Sequence, residues 1–347
     1  MSPKLNDRNG GRAPARILAG AARCVLSSGA CALAVGNAAA QQPPRILEHP
    51  AAVFSVFFSP AGDGLLTADL ERTLRLWDAG SVGVVRELSS GPTRGALWTA
   101  GFSPDGRFVF AGDEIAAARW DVRTGEVVNR LAVHDAGLAG LTISADGGSL
   151  LTLGGDDVAY LWNAETGAEL WRFDVPGRLS AIGLSSDGAL VALGVFTEAW
   201  DTATDLPAGE PPSDPIVLWY AGSDEPSARL PGHTDQIWSL AFSPDGATLL
   251  SSSSDGTVAV WGIATETRVH LLEHPGQVQS AAFSPDGQWI VTGCADAVVR
   301  LWNAQTGALM RTFEGHGDEI TSVAFAPDGA SIASASFDGT ARIWMLR

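Results

Sequence analysis

Lysine is all but missing from this chain: Lys4 is the only one, and 22 basic residues face 39 acidic ones, for a formal net charge of −17. Such a chain has little with which to displace counterions from a phosphate backbone, so nucleic-acid binding is set aside. An acidic surface repels anions and steers basic partners or cations toward it. Cysteine is nearly as scarce. Cys24, Cys31 and Cys294 form no CxxC or CxxCH motif, which removes a zinc ribbon, a thioredoxin-like site and covalent haem from consideration. No uninterrupted apolar run reaches the roughly 18 residues of a membrane-spanning helix. There is no phosphate-cradling glycine loop either, and nothing in the sequence calls for a cofactor or a metal. What is present, 347 residues of which 46% are hydrophobic and 18% charged, suffices for one large buried core or two small ones.

Residues 1–40 differ in kind from the rest. Lys4, Arg8, Arg12, Arg16 and Arg23 face one acid, Asp7; a small-residue apolar stretch runs from Cys24 to Val35; and Ala38-Ala39-Ala40 precedes Gln41. A basic segment, an apolar segment and an A-x-A site describe a secretory signal peptide cleaved after Ala40, which predicts a periplasmic or secreted protein. The long basic region and the interruption at Ser27, Ser28 and Gly29 leave a cytoplasmic protein with a disordered amino-terminal tail as the alternative. Lipid attachment at Cys31 is disfavoured, because Ser28 stands where a lipoprotein signal carries leucine.

From residue 45 onward the chain repeats itself. Trp77, Trp120, Trp162, Trp219, Trp261, Trp302 and Trp344 follow one another at intervals of 43, 42, 57, 42, 41 and 42 residues, each ending a short β-branched or aliphatic run. Upstream lie turn quartets such as Ser103-Pro104-Asp105-Gly106, Ser243-Pro244-Asp245-Gly246 and Ser284-Pro285-Asp286-Gly287. Proline presets φ, aspartate bonds back to the backbone and glycine accepts positive φ, so each quartet reverses one strand into the next. Seven periods of four short strands result. His49, His134, His233, His274 and His316 each stand 28 residues before their repeat's tryptophan, and two of them complete a Gly-His pair.

This arrangement resembles the WD-repeat propeller family, with its Gly-His to Trp-Asp signature; the leader makes it look like an exported, bacterial-type member. The resemblance implies an all-β fold over residues 41–347. It is a seven-bladed β-propeller of four-stranded antiparallel blades, in which the segment Arg45 to Leu47 supplies the outer strand of the last blade. It also implies that the repeated hydroxyl and acid, Thr152 and Asp156, Ser251 and Asp255, Thr292 and Asp296, Ser334 and Asp338, form with the histidine and tryptophan a buried brace. A Ser-His-Asp catalytic triad is the competing reading, but catalysis needs one exposed constellation rather than four near-copies. Repeat one offers Thr67 with Glu71 in the acid position. Repeats two and four lack the histidine, so those blades are expected to be less tightly braced.

The long interval before Trp219 holds an insert at about residues 197–215, between the second and third strands of repeat four. Trp200, Asp201, Asp205, Glu210 and Asp214 within it suit either a lid or binding finger or a solvated loop; the acids lack calcium-loop spacing. In the resembled family, partners dock on the face carrying the histidine loops. The corresponding positions here are Phe54, Leu70, Gln236, Trp238, Gln277, Gln279, Glu319 and Phe337, with Trp98 added by aligning Phe102 with Phe242. Such aromatics either anchor a partner or pack on neighbouring loops. Two functions compete: a non-catalytic scaffold that binds another protein, and an enzyme or small-ligand or cation-binding propeller using the central channel or the insert. The absence of any site motif favours the scaffold.

Overall fold

The computed structural model describes residues 42–88, 99–112, 116–134, 137–175, 177–196 and 214–346. The leader at 1–40, Trp98, and the insert residues Trp200 and Asp201 lie outside the described residues.

The hairpins form where the turn chemistry predicts. In blade five, the Ser243 carbonyl accepts from Gly246 N–H (2.9 Å), while Asp245 Oδ1 accepts from the Ser243 hydroxyl (2.6 Å) and from Ala247 N–H (3.0 Å). Gly246 sits at φ +70°, which favours a residue without a Cβ. The flanking segments Ile237–Phe242 and Thr248–Ser253 pair antiparallel, followed by Thr257–Gly262 and Thr267–Glu273. The described residues form seven such four-stranded sheets. Blade seven takes its fourth strand from Arg45–Glu48, paired antiparallel with Thr340–Met345, as the sequence predicts. The insert falls between Leu190–Phe196 and Asp214–Tyr220, and Trp219 belongs to that third strand.

Each seam between blades is filled by one indole. Trp261 of blade five packs with Leu190 and Ile216 of blade four, and Trp344 of blade seven with Val291 and Leu301 of blade six. Trp77 of blade one packs with Ala333 and Ile343 of blade seven, which closes the circle. Burying ~150–250 Å² per indole at ~25 cal/mol/Å² contributes roughly 4–6 kcal/mol of transfer free energy at each seam. The innermost strands are laced as well: Ser239 Oγ accepts from Ala281 N–H (3.2 Å), Ser280 Oγ from Val323 N–H (3.1 Å) and Ser322 Oγ from Val56 N–H (3.2 Å).

Candidate functional site

The brace is a relay of hydrogen bonds. In blade five, Trp261 Nε1–H donates to Ser251 Oγ (2.8 Å), the Ser251 hydroxyl donates to His233 Nε2 (2.7 Å), and His233 Nδ1–H donates to Asp255 (2.8 Å). The carboxylate fixes the tautomer, and every polar atom of the chain is partnered. Blade seven repeats it through Trp344, Ser334, His316 and Asp338, and blade three through Trp162, Thr152, His134 and Asp156. Ser251, Ser334 and Thr152 have no exposed surface. No substrate can reach those hydroxyls, and three near-identical copies hold structure rather than chemistry. Burial opposes ionisation of Asp338, yet hydrogen bonds from Thr340, Gly317 and His316 outweigh it and push its carboxyl down to about 2.

Two blades depart from the expected brace. In blade one the acid is Asp69, not Glu71: His49 Nδ1 meets Asp69 at 3.1 Å, Arg75 pairs with the same carboxylate, and Glu71 is exposed. The Arg75 guanidinium holds Asp69 inward, two residues earlier than the spacing suggests. His49 Nε2 is then left without a partner, and Thr67 receives only the Trp77 indole (2.7 Å). In blade six, Asp296 does not reach His274 because Arg300 engages it with both amino groups. His274 Nδ1–H instead donates to the Leu272 carbonyl (3.1 Å), with Thr292 at Nε2 (2.8 Å). Burial, assisted by the nearby Arg300 charge, pushes the His274 imidazole down to about 4.

Blades two and four are under-braced, as expected. The cross-strand register puts Ala111 and Leu193 where the hydroxyl belongs. Trp120 Nε1 is buried without a partner, and Trp219 Nε1 donates out to the Ser223 carbonyl (2.6 Å).

The predicted docking positions lie on the face carrying the histidine loops. A β-bulge near the start of the innermost strand drops Phe54, Trp238 and Gln279 out of the pairing register. Such a bulge re-aims the side chain it carries. Trp238 is 40% exposed and Leu70 48%. The structure links most of the predicted positions across three successive seams. Trp238 Nε1–H donates to Ser254 Oγ (2.6 Å), which reaches Gln277 Oε1 (3.5 Å). Gln279 Nε2–H donates to Glu319 (3.0 Å), Phe337 N–H to the Glu319 carbonyl (3.1 Å), and the Phe337 and Phe54 rings meet edge to face at 5.5 Å. Gln236 is bound at its backbone, its carbonyl accepting from Ser254 N–H (2.9 Å), and Leu70 N–H donates to the Ala52 carbonyl (2.9 Å). Sequence reasoning missed Ser254, whose serine run resembles any strand interior.

The central channel, about 650 Å³, is lined by small, hydroxylated and aromatic residues such as Thr99, Ser180, Ser280, Phe242 and Phe283, with no charged side chain or histidine in its lining. Among the described residues no group of histidine, cysteine or carboxylate side chains gathers as a metal site, and no helix is long and apolar enough to cross a membrane.

Seven four-stranded blades closed into a ring define a repeat propeller. Four segments, residues 41–78, 224–262, 266–303 and 307–345, match the family model of the WD domain, G-beta repeat. These four segments are similar to WD repeats. It is 29% identical over 177 residues to the SIR4-interacting protein SIF2 of Saccharomyces cerevisiae, covering 50% of this chain and 32% of that protein. It is 36% identical over 145 residues to eukaryotic translation initiation factor 3 subunit I of Drosophila grimshawi, covering 41% of this chain and 44% of that protein. The chain thus spans less than half the length of these relatives.

Proposed function

We propose that this chain is a non-catalytic platform that holds another protein on the face bearing the histidine loops. The observation that carries the reading is that side-chain contacts cross three successive seams on this face, Trp238 to Gln277 through Ser254, Gln279 to Glu319, and Phe337 to Phe54, with the Trp238 indole half-exposed. Large aromatics on a rigid support anchor interfaces at low entropic cost. The two relatives, an interacting protein and a factor subunit by name, are proteins that assemble with others. Among the described residues the channel lining holds hydroxyls but no carboxylate, imidazole, amine or thiol beside them. Trp98, Trp200 and Asp201 complete the surface in this proposal, and the composition of residues 1–40 supports export after cleavage at Ala40.

The test is affinity capture with a tagged chain, followed by titration of the recovered partner. Trp238→Ala and Trp98→Ala are expected to weaken the partner by about 30-fold or more, the measure of an interface hot spot. Tyr220→Ala, exposed at the opposite end of its blade, is expected to leave it unchanged. A partner retained equally by all three variants rules out this face. Sequencing the mature amino terminus decides export: a chain beginning at Met1 or Ser2 removes the leader.

A further inference from the structure

Repetition makes a substituted position visible. The residue before each blade's tryptophan packs into the seam with the following blade. In six blades it is Leu76, Leu161, Leu218, Val260, Leu301 and Ile343, all buried. In blade two it is Arg119. The seam between blades two and three is correspondingly open, forming a cleft of about 730 Å³ at the end of the molecule away from the histidine loops. That volume falls within the ~300–1,000 Å³ typical of small-molecule sites.

Arg119, half-buried, lines this cleft with Phe108, Phe110 and Val128. Its Nη1 donates to the Ala164 carbonyl (3.3 Å), and its guanidinium stands 4.6 Å from the Phe108 ring centroid. Its Nε–H is buried and has no partner. A second guanidinium, that of Arg107, lies 4.8 Å from the same ring, 67% exposed, with only a long contact (3.8 Å) to Asp121. Two arginines thus converge on one phenylalanine in a protein of net charge −17. Four carboxylates, Asp105, Asp121, Asp146 and Glu165, also line the cleft.

We infer that this cleft binds an apolar carboxylate. The carboxylate pairs with the Arg119 guanidinium, whose Nε–H has no protein partner, while a hydrocarbon or aryl body lies on Phe108, Phe110 and Val128. The planar fork matches a carboxylate in two parallel hydrogen bonds, and burial strengthens them. The apolar walls select the body. The lining acids select a single negative charge: hydrogen bonds from the Ser103 hydroxyl, the Thr124 backbone and the Ser144 hydroxyl hold Asp105, Asp121 and Asp146 below the usual carboxylate range, so they stay ionised and repel a polyanion. The ligand is either a free small molecule or the last residue of a peptide. The cleft and the partner surface lie on opposite faces, so each stands or falls separately.

The experiment titrates the whole protein with phenylacetate, with benzyl alcohol, and with the peptide Ala-Ala-Ala-Phe bearing a free carboxylate. It follows the amide resonances of residues 105–108 and 146–147. Saturable binding of phenylacetate assigns a free ligand, and binding of the peptide alone assigns a chain terminus. Either is expected to weaken at least tenfold in Arg119→Leu, which installs the residue type of the other blades and is expected to melt no lower than the parent. Arg107→Ala is expected to weaken binding less. Absence of saturation by both carboxylates, equal binding by Arg119→Leu, or equal binding of benzyl alcohol overturns the assignment.

Discussion

Removing one oxygen from the brace should cost different amounts in different blades, in an order set by how many buried atoms share it. In blade five, Ser251 Oγ accepts from the Trp261 indole at 2.8 Å and serves His233 Nε2 at 2.7 Å, and Ser251 has no exposed surface. Ser251→Ala leaves both nitrogens buried without a partner. Each orphaned group costs ~1–3 kcal/mol, so after partial relaxation the variant is expected to lose about 2–4 kcal/mol. In blade one, Thr67 serves only the Trp77 indole, since His49 Nε2 already lacks a partner. Thr67→Val, which keeps the shape, is expected to lose about 1–2 kcal/mol, roughly half as much. Ala111→Ser in blade two runs the other way. It offers the stranded Trp120 indole an acceptor at the register position of Thr67 and is expected to gain up to about 1 kcal/mol. Urea unfolding followed by tryptophan fluorescence and far-ultraviolet dichroism measures all three, provided the two transitions coincide. If Ser251→Ala costs no more than Thr67→Val, the relay is not a shared network and the reasoning fails.

Three further outcomes follow from the same geometry. The His274 imidazole, pushed down from an ordinary 6.5 to about 4 chiefly by burial, binds fewer protons folded than unfolded; stability should therefore fall by roughly 2–3 kcal/mol as pH drops from about 6.5 to 4. Urea midpoints that do not move between pH 7 and pH 5 refute it. The depressed Asp255 and Asp338 carboxyls act in a separate, lower window, their stabilisation being lost only below the ordinary carboxylate range. Leu47, fully buried in the strand that completes blade seven, should cost about 2–4 kcal/mol on mutation to alanine; an unchanged urea midpoint would mean the strand does not close the ring. Amide exchange should be fastest in blade two, whose innermost strand is only Ala100–Phe102 and whose tryptophan lacks its acceptor; protection equal to that of blade five counts against it.

The blade count was legible because each blade needs one seam-filling indole and one tight turn, and both leave fixed marks in the chain. The strand that completes blade seven was legible for a related reason, since a blade short of its outer strand must find one elsewhere. The partners of individual acids were not legible. Spacing places Glu71 and Asp296 in the brace, but Arg75 draws in Asp69 and Arg300 takes Asp296 away from His274. In blade one Arg75 and His49 share a carboxylate two residues early, in blade six Arg300 displaces His274 from one, and no count along the chain reports either outcome. The Arg119 cleft had a readable signal, the one cation among seven residues preceding a tryptophan. A search for matches to a repeat passes over the position that fails to match.

Symmetry therefore divides the molecule by role. Where the repeats agree, buried groups satisfy one another and the residue is committed to holding the ring. Among the described residues, the five buried side-chain polar atoms left without partners, His49 Nε2, Ser55 Oγ, Arg119 Nε, Trp120 Nε1 and Asn129 Oδ1, all belong to blades one and two. Two consecutive blades thus carry all such groups among the described residues, while blades three, five and seven hold complete relays. Removing the charge at Arg119 should relieve one of these unsatisfied sites, whereas removing Ser251 creates two. Melting Arg119→Leu beside Ser251→Ala tests that division: a higher midpoint for the first and a lower one for the second is expected. Destabilisation by both would show that blade two is as fully committed to the ring as blade five.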